Sequence, residues 1–163
     1  MALVLGWLLN MSCYADELSR EYKIKAAYLV NIVQYVTWPE ETFASDETAI
    51  RLCVDTNMSF VHFLEGVIAS KQAAAAIRPI IVESWQPSAL CHLRYVTKTK
   101  GLKRGFVFNG FTVGDNTRFR RYGTVINFYT EDRRVRFEVN NTKLNENNLK
   151  LSSKLLKLAR IYE

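Results

Sequence analysis

Two histidines and three cysteines in 163 residues leave little material for metal chemistry. His62 falls within a predicted helix and His92 stands beside Cys91, and neither belongs to a spacing that gathers ligands around zinc. Glycine and proline are also scarce, at 7 and 3. No glycine-rich strand–helix junction supplies a P-loop or a dinucleotide fingerprint, and there is no nucleophile elbow. The sequence therefore names no catalytic residue, no metal ligand and no cofactor, and reads as a non-enzyme. Charge is absent from Met1 to Ala15, but that run falls short of the ~20 residues of a membrane-spanning helix.

What is present is the composition of an ordinary globular domain, 48% apolar and 23% charged. The uncharged start has the layout of an export signal. An apolar run from Ala2 to Leu9 precedes small residues at Cys13 and Ala15, and Asp16-Glu17 follow. We read residues 1–15 as a signal peptide and 16–163 as one domain; a buried N-terminal helix is the alternative. A lipoprotein with Cys13 acylated fits less well, because Asn10 and Met11 stand upstream. Removal of Cys13 leaves Cys53 and Cys91. An even pair in an oxidising compartment points to a disulfide, with two buried thiols as the other reading.

The apolar periodicity predicts a helix from Leu18 to Trp38, ended by Trp38-Pro39. Its first turns, with Arg20, Glu21, Lys23 and Lys25, are expected to be wet, and its uncharged second half buried nearly all round. Tyr28, Tyr35 and Trp38 either line a pocket or belong to the core. Strands are predicted at Ile50–Val54, Arg78–Val82, Leu93–Thr97 and Phe111–Asp115, and a helix at Phe60–Ile68 capped by Asn57 or Ser59. Strand, helix and strand in that order make a parallel unit with a right-handed crossover.

Charge is distributed unevenly. Residues 1–91 hold 6 Lys/Arg against 10 Asp/Glu, net −4, whereas 92–163 hold 16 against 6, net +10. Such a half suits an anionic partner, or is a solvated basic surface. Export rules out chromosomal nucleic acid, which leaves a membrane surface or a protein. Arg118, Arg120, Arg121, Arg133, Arg134 and Arg136 are the candidate contacts, since they fall on loops and on the polar side of an alternating strand. Solubilising charge is the alternative for each.

The C-terminal stretch is the most informative. Arg134 to Asn140 alternates strictly, with Val135, Phe137 and Val139 on one face, and Val125 to Tyr129 is a deeper strand. The polar Thr130 to Arg133 between them forces an antiparallel hairpin. A final helix is predicted over Leu151 to Arg160, capped by Ser152 or Ser153, with leucines inward and lysines outward. The words INFYTEDRRVRFEVN and LKLSSKLLKLARI closely resemble the C-terminal block of the YfiR-like family, small exported bacterial regulatory proteins. The Trp38-Pro39 helix end, Arg51 to Val54, Arg78 to Ile80, Cys91 and Phe111 to Asp115 resemble further parts of it in the same order.

That resemblance implies an α/β three-layer sandwich with a central mixed β-sheet flanked by helices. Alternation of strand and helix signals suggests five or six strands in the sheet. The resemblance also implies a periplasmic location and repression of an inner-membrane sensor protein, typically a diguanylate cyclase, and hence control of cyclic di-GMP and biofilm. Pairing of two copies is left open. A periplasmic small-ligand binding module is the rival reading, with Tyr28, Trp38 and the basic strand face lining its site. The chain departs from the family in a short, basic stretch between Cys91 and Asp115, and in having no cysteines for a second disulfide.

Overall fold

Ser19 opens the first helix by accepting the Tyr22 amide on its side chain. The computed structural model describes residues 18–86 and 90–163; the proposed leader lies outside them. Helix α1 spans Arg20–Tyr35. The β-branched Val36–Thr37 then leave the helix and form a short strand, β1, before Trp38 is reached. Burial is one-sided: Ala26, Leu29, Val30, Ile32 and Val33 are covered, whereas Ala27 and Tyr35 are exposed. The expectation of burial all round the second half is corrected accordingly. Lys25, expected in water, is 3% exposed.

The rest of the chain comprises β2 (Ile50–Val54), α2 (Met58–Ala74), β3 (Ile80–Ser84), β4 (Leu93–Val96), β5 (Phe111–Gly114), β6 (Ile126–Glu131), β7 (Arg134–Asn140), α3 (Asn141–Glu146), β8 (Lys150–Leu151), α4 (Ser153–Leu156) and β9 (Ala159–Tyr162). Short 3₁₀ helices cover Glu40–Thr42 and Thr117–Tyr122. Asn57 caps α2 through the Phe60 amide at 2.9 Å, and the alanines after Lys71 extend the helix to Ala74.

Seven strands form one sheet in the order β3-β2-β4-β5-β6-β7-β9, with β1 and β8 as a separate antiparallel pair. All neighbours in the large sheet are parallel except the β6–β7 hairpin. This is the expected α/β architecture around a central mixed sheet, with more strands than the five or six expected. The hairpin turn is tighter than the polar run suggested. Glu131 pairs Arg134, and Asp132 and Arg133 turn the chain with φ of 49° and 58°, the left-handed pair that matches strand twist.

Alternation along the strands makes two unlike faces. Leu52, Leu93, Tyr95, Val113, Ile126, Phe128, Phe137 and Val139 pack under α1 and α2 as the main core. On the reverse, Val96, Phe108 and Phe119 make a second, small core with Leu102 and Tyr122. The 3₁₀ helix Thr117–Tyr122 and the loop before β5 cover this side, where no α-helix lies between Cys91 and Asp115 among the described residues. Gly114 allows that approach, since a Cβ there would sit 2.5 Å from Phe119 Cβ and from Asn127 Oδ1.

The largest correction is at the C-terminus. The predicted final helix is a single turn, α4, capped by Ser152, and the chain then runs as β9 parallel to β7. Leucine and lysine favour helix, but as a strand Arg160 meets Glu138 and Tyr162 meets Asn127. Leu155 is buried, whereas Leu156 and Leu158 are exposed. Tertiary pairing overrides the local preference.

Cys53 and Cys91 are joined in a disulfide, Cα to Cα 5.8 Å across 38 residues of chain. Reduction of the disulfide-bonded protein should cost roughly 3–4 kcal/mol of stability in the chain-entropy model. Urea unfolding with and without reductant checks this, and equal midpoints would contradict it.

Candidate functional site

The reverse face is built around one carboxylate. Glu138 lies in a row running Gly114–Asn127–Glu138–Arg160 across β5, β6, β7 and β9. Strand alternation places it on the polar side, yet it is 0% exposed, because two guanidinium groups close over it. Arg120, from the 3₁₀ helix, donates through Nε and Nη2 to the two carboxylate oxygens. Arg160 donates through Nη2 at 2.5 Å and Nε at 3.2 Å. Each guanidinium also covers a ring, Arg120 that of Tyr162 at 4.7 Å and Arg160 that of Tyr129 at 4.1 Å. Asn127 donates to the Tyr162 hydroxyl at 3.1 Å, and its Oδ1 accepts from Thr124 at 2.6 Å. Burial by itself raises the Glu138 carboxyl; hydrogen bonds from Arg120 and Arg160 outweigh it and hold the group below its ordinary 4.5.

The six arginines singled out in the sequence therefore divide. Arg120 is committed to Glu138, and Arg136 stands 3.2 Å from Glu131 as an ion pair without hydrogen-bond alignment. Arg121 lies over the Tyr122 ring at 5.9 Å. Arg118 is exposed at the start of the 3₁₀ helix, where its amide is held by Asn116. Arg133 and Arg134 are exposed at the hairpin tip, beside a cleft of about 410 Å³ shared with Arg20, Glu21 and Tyr28. Among the described residues, Arg118, Arg121, Arg133 and Arg134 form no ion pair.

Tyr28 and Trp38 lie in different places. Tyr28 packs on Phe137 at 5.5 Å and Phe128 at 6.1 Å, and its edge lines the hairpin cleft. Trp38 packs on Phe111 at 5.5 Å and Phe43 at 5.7 Å, and lines a separate cleft with Phe43, Asp46 and Arg78. His92 accepts the Arg51 amide on Nδ1 at 2.8 Å, and burial followed by the Arg51 charge lowers its pKa. It acts as a fixed acceptor beside the cystine.

Two features were missed in the sequence: the Glu138–Arg160 pairing, and a buried lysine. Lys25 reaches Asp115 Oδ1 at 2.7 Å, the Asp115 carbonyl at 3.1 Å and Glu21 at 2.7 Å, and the Tyr95 hydroxyl donates to the same Asp115 oxygen. Burial lowers the Lys25 pKa, but the hydrogen bonds to Asp115 and Glu21 raise it above 10.5 on balance. This cluster sits at the carboxyl ends of β4 and β5. Strand order reverses between β2 and β4, where open α/β sheets place ligands. Here the protein closes the crevice itself, with Asp55 accepting the Thr97 amide at 2.6 Å and hydroxyl at 2.8 Å. The i, i+4 spacing of Glu21 and Lys25 was the only signal of it in the sequence.

Among the described residues no three His, Cys, Asp or Glu gather to hold a metal, and no helix is long and apolar enough to cross a membrane. The arrangement is that of a disulfide-tied α/β domain with one face packed under helices and the other a cationic polar surface. The chain belongs to the YfiR/HmsC-like family, whose model matches residues 22–160. That family is one of periplasmic regulatory proteins. No curated protein matches the chain.

The charge fork makes an asymmetric prediction. Replacing both Arg120 and Arg160 by alanine strands a buried carboxylate and should cost about 3–5 kcal/mol. Glu138→Gln leaves the two half-exposed guanidiniums to water and should cost less, about 1–3 kcal/mol. Because the folded-state pKa of Glu138 is depressed, its contribution is complete above the ordinary 4.5 and fades as pH falls through the lower folded value. Urea titrations from pH 7 to 3 should show that loss in the native protein and a flatter profile in Glu138→Gln.

Proposed function

We propose that this protein is exported and represses an inner-membrane signalling protein by binding its periplasmic sensor domain, and that the target is a diguanylate cyclase. The observation that carries the reading is the set of exposed arginines that form no ion pair among the described residues, Arg118, Arg121, Arg133 and Arg134, on a member of a periplasmic regulatory family. Unneutralised cations on a domain held rigid by a disulfide attract an acidic protein surface and the anionic membrane beside it, which speeds encounter and orients docking. Arg120 and Arg136 belong to internal pairs and act on the partner only through the shape they hold. The hairpin tip, where Arg133 and Arg134 are both exposed, is the contact we assign.

Deletion of the gene should raise cyclic di-GMP and biofilm, and the effect should vanish when the target cyclase is also deleted. Crosslinking capture from membranes identifies the partner. Arg133→Asp with Arg134→Glu should weaken that capture on the order of 10-fold at low salt and less at high salt, as screened charge attraction requires. Aspartate suits the left-handed backbone at 133, so the variant should fold. Undiminished capture and repression by the variant would place the interface elsewhere.

A further inference from the structure

The loop between β4 and β5 borders a further cleft, of about 450 Å³, on the reverse face. It is lined by Trp85, Leu102, Phe106, Val107 and Phe108, and by the charged Arg94 and Lys103. The volume lies in the range of small-molecule sites, and the lining has their composition, aromatic and apolar with a few convergent polar groups.

The floor is built in. Phe108 is buried in the second core, its amide is held by the Tyr122 carbonyl at 2.7 Å, and Phe106 stands edge-on to it at 4.9 Å. The Trp85 amide is fixed by the Val54 carbonyl at 2.9 Å. Above that floor, Phe106 and Val107 are 37% and 46% exposed, an apolar rim that water meets.

Arg94 gives the cleft its polarity. Gly110, at φ 78°, turns the loop back over it, so that the Asn109 carbonyl accepts from Nη1 at 2.6 Å. No carboxylate pairs with this guanidinium among the described residues, although burial alone depresses its pKa. A partly desolvated guanidinium with unused donors and no counter-charge, beside aromatic walls, is complementary to an anion with a flat apolar body. Lys103 supplies a second cation to the lining.

We propose that this cleft binds a small aromatic anion, its ring between Trp85 and Phe106 and its acidic head on Arg94. The site is separate from the hairpin tip, so its occupancy does not depend on the repression assigned above. It lies in the short, basic stretch where this chain departs from its family's pattern, and it would give a ligand a route to the surface that carries the free arginines.

Titration of ¹⁵N-labelled protein purified from the periplasm with 2-naphthoate, 2-naphthyl phosphate and neutral 2-naphthamide tests the assignment. Saturable shifts are expected at the Trp85 indole N–H and the Gly101 and Gly105 amides. The neutral amide should bind about 10-fold or more weakly than the better anion, as loss of a charge-assisted hydrogen bond requires. Whichever anion binds more tightly names the head group. Arg94→Gln should abolish the preference for anions, and Phe106→Ala should weaken all three probes. No saturable shift at these amides, shifts centred elsewhere, or equal binding of anion and amide to the native protein would overturn the proposal. Should Arg94→Gln fail to fold, the native anion-to-amide ratio and Phe106→Ala decide it alone.

Discussion

A carboxylate with no access to water holds the reverse face together. Glu138 is reached by Arg120 from the 3₁₀ helix and by Arg160 from the last strand, so one buried charge ties three parts of the chain distant in sequence. Isolated burial of that carboxylate would cost several kcal/mol; two guanidiniums, each stacked on a tyrosine, make it an anchor. The pairing explains why β9 is a strand, why the 3₁₀ helix packs against β5 and β6, and why Arg120 is structural. Without it, the second core of Val96, Phe108 and Phe119 would lose the element that carries Phe119.

The other polar centre works in the same way on the helical side. Lys25 brings α1 to the carboxyl ends of the parallel strands, where Asp115 and the Tyr95 hydroxyl receive it. With Asp55 bridging to Thr97, it closes the place where a doubly wound sheet commonly opens to a ligand. Clefts lie at the margins instead, among them the hairpin cleft, the Trp38 cleft and the cleft under the β4–β5 loop. A protein organised this way suits recognition by its surface better than chemistry in its interior. This is consistent with the regulatory character of its family.

The disulfide and the charge fork divide the work of rigidity. Cys53–Cys91 fastens β2 to the segment entering β4, and Glu138 fastens the opposite half of the sheet. Between them the basic loop before β5 is held at its base by Phe108 and remains exposed at Phe106 and Val107. The half fastened by Glu138 carries the exposed arginines, and the loop beside it carries the apolar rim.

Local pattern alone determined a good part of this. Strict alternation in Arg134–Asn140, the short, mostly apolar run at Ile50–Val54 and the Asn57 cap each depend on near neighbours, and each element formed close to where it was expected. The cysteine pair and the family resemblance were also readable from residues alone. Tertiary structure decided what long-range partners control. Leu151 to Arg160 carries a helical pattern but gives a strand at its end, because β7 offers Arg160 a buried counter-charge. Lys25 looked like a solvated charge until Asp115, 90 residues away, came within 2.7 Å. Six arginines that are equivalent in sequence became two internal ties and four exposed cations, since a charge's role depends on which carboxylate the fold places beside it, and periodicity does not record that.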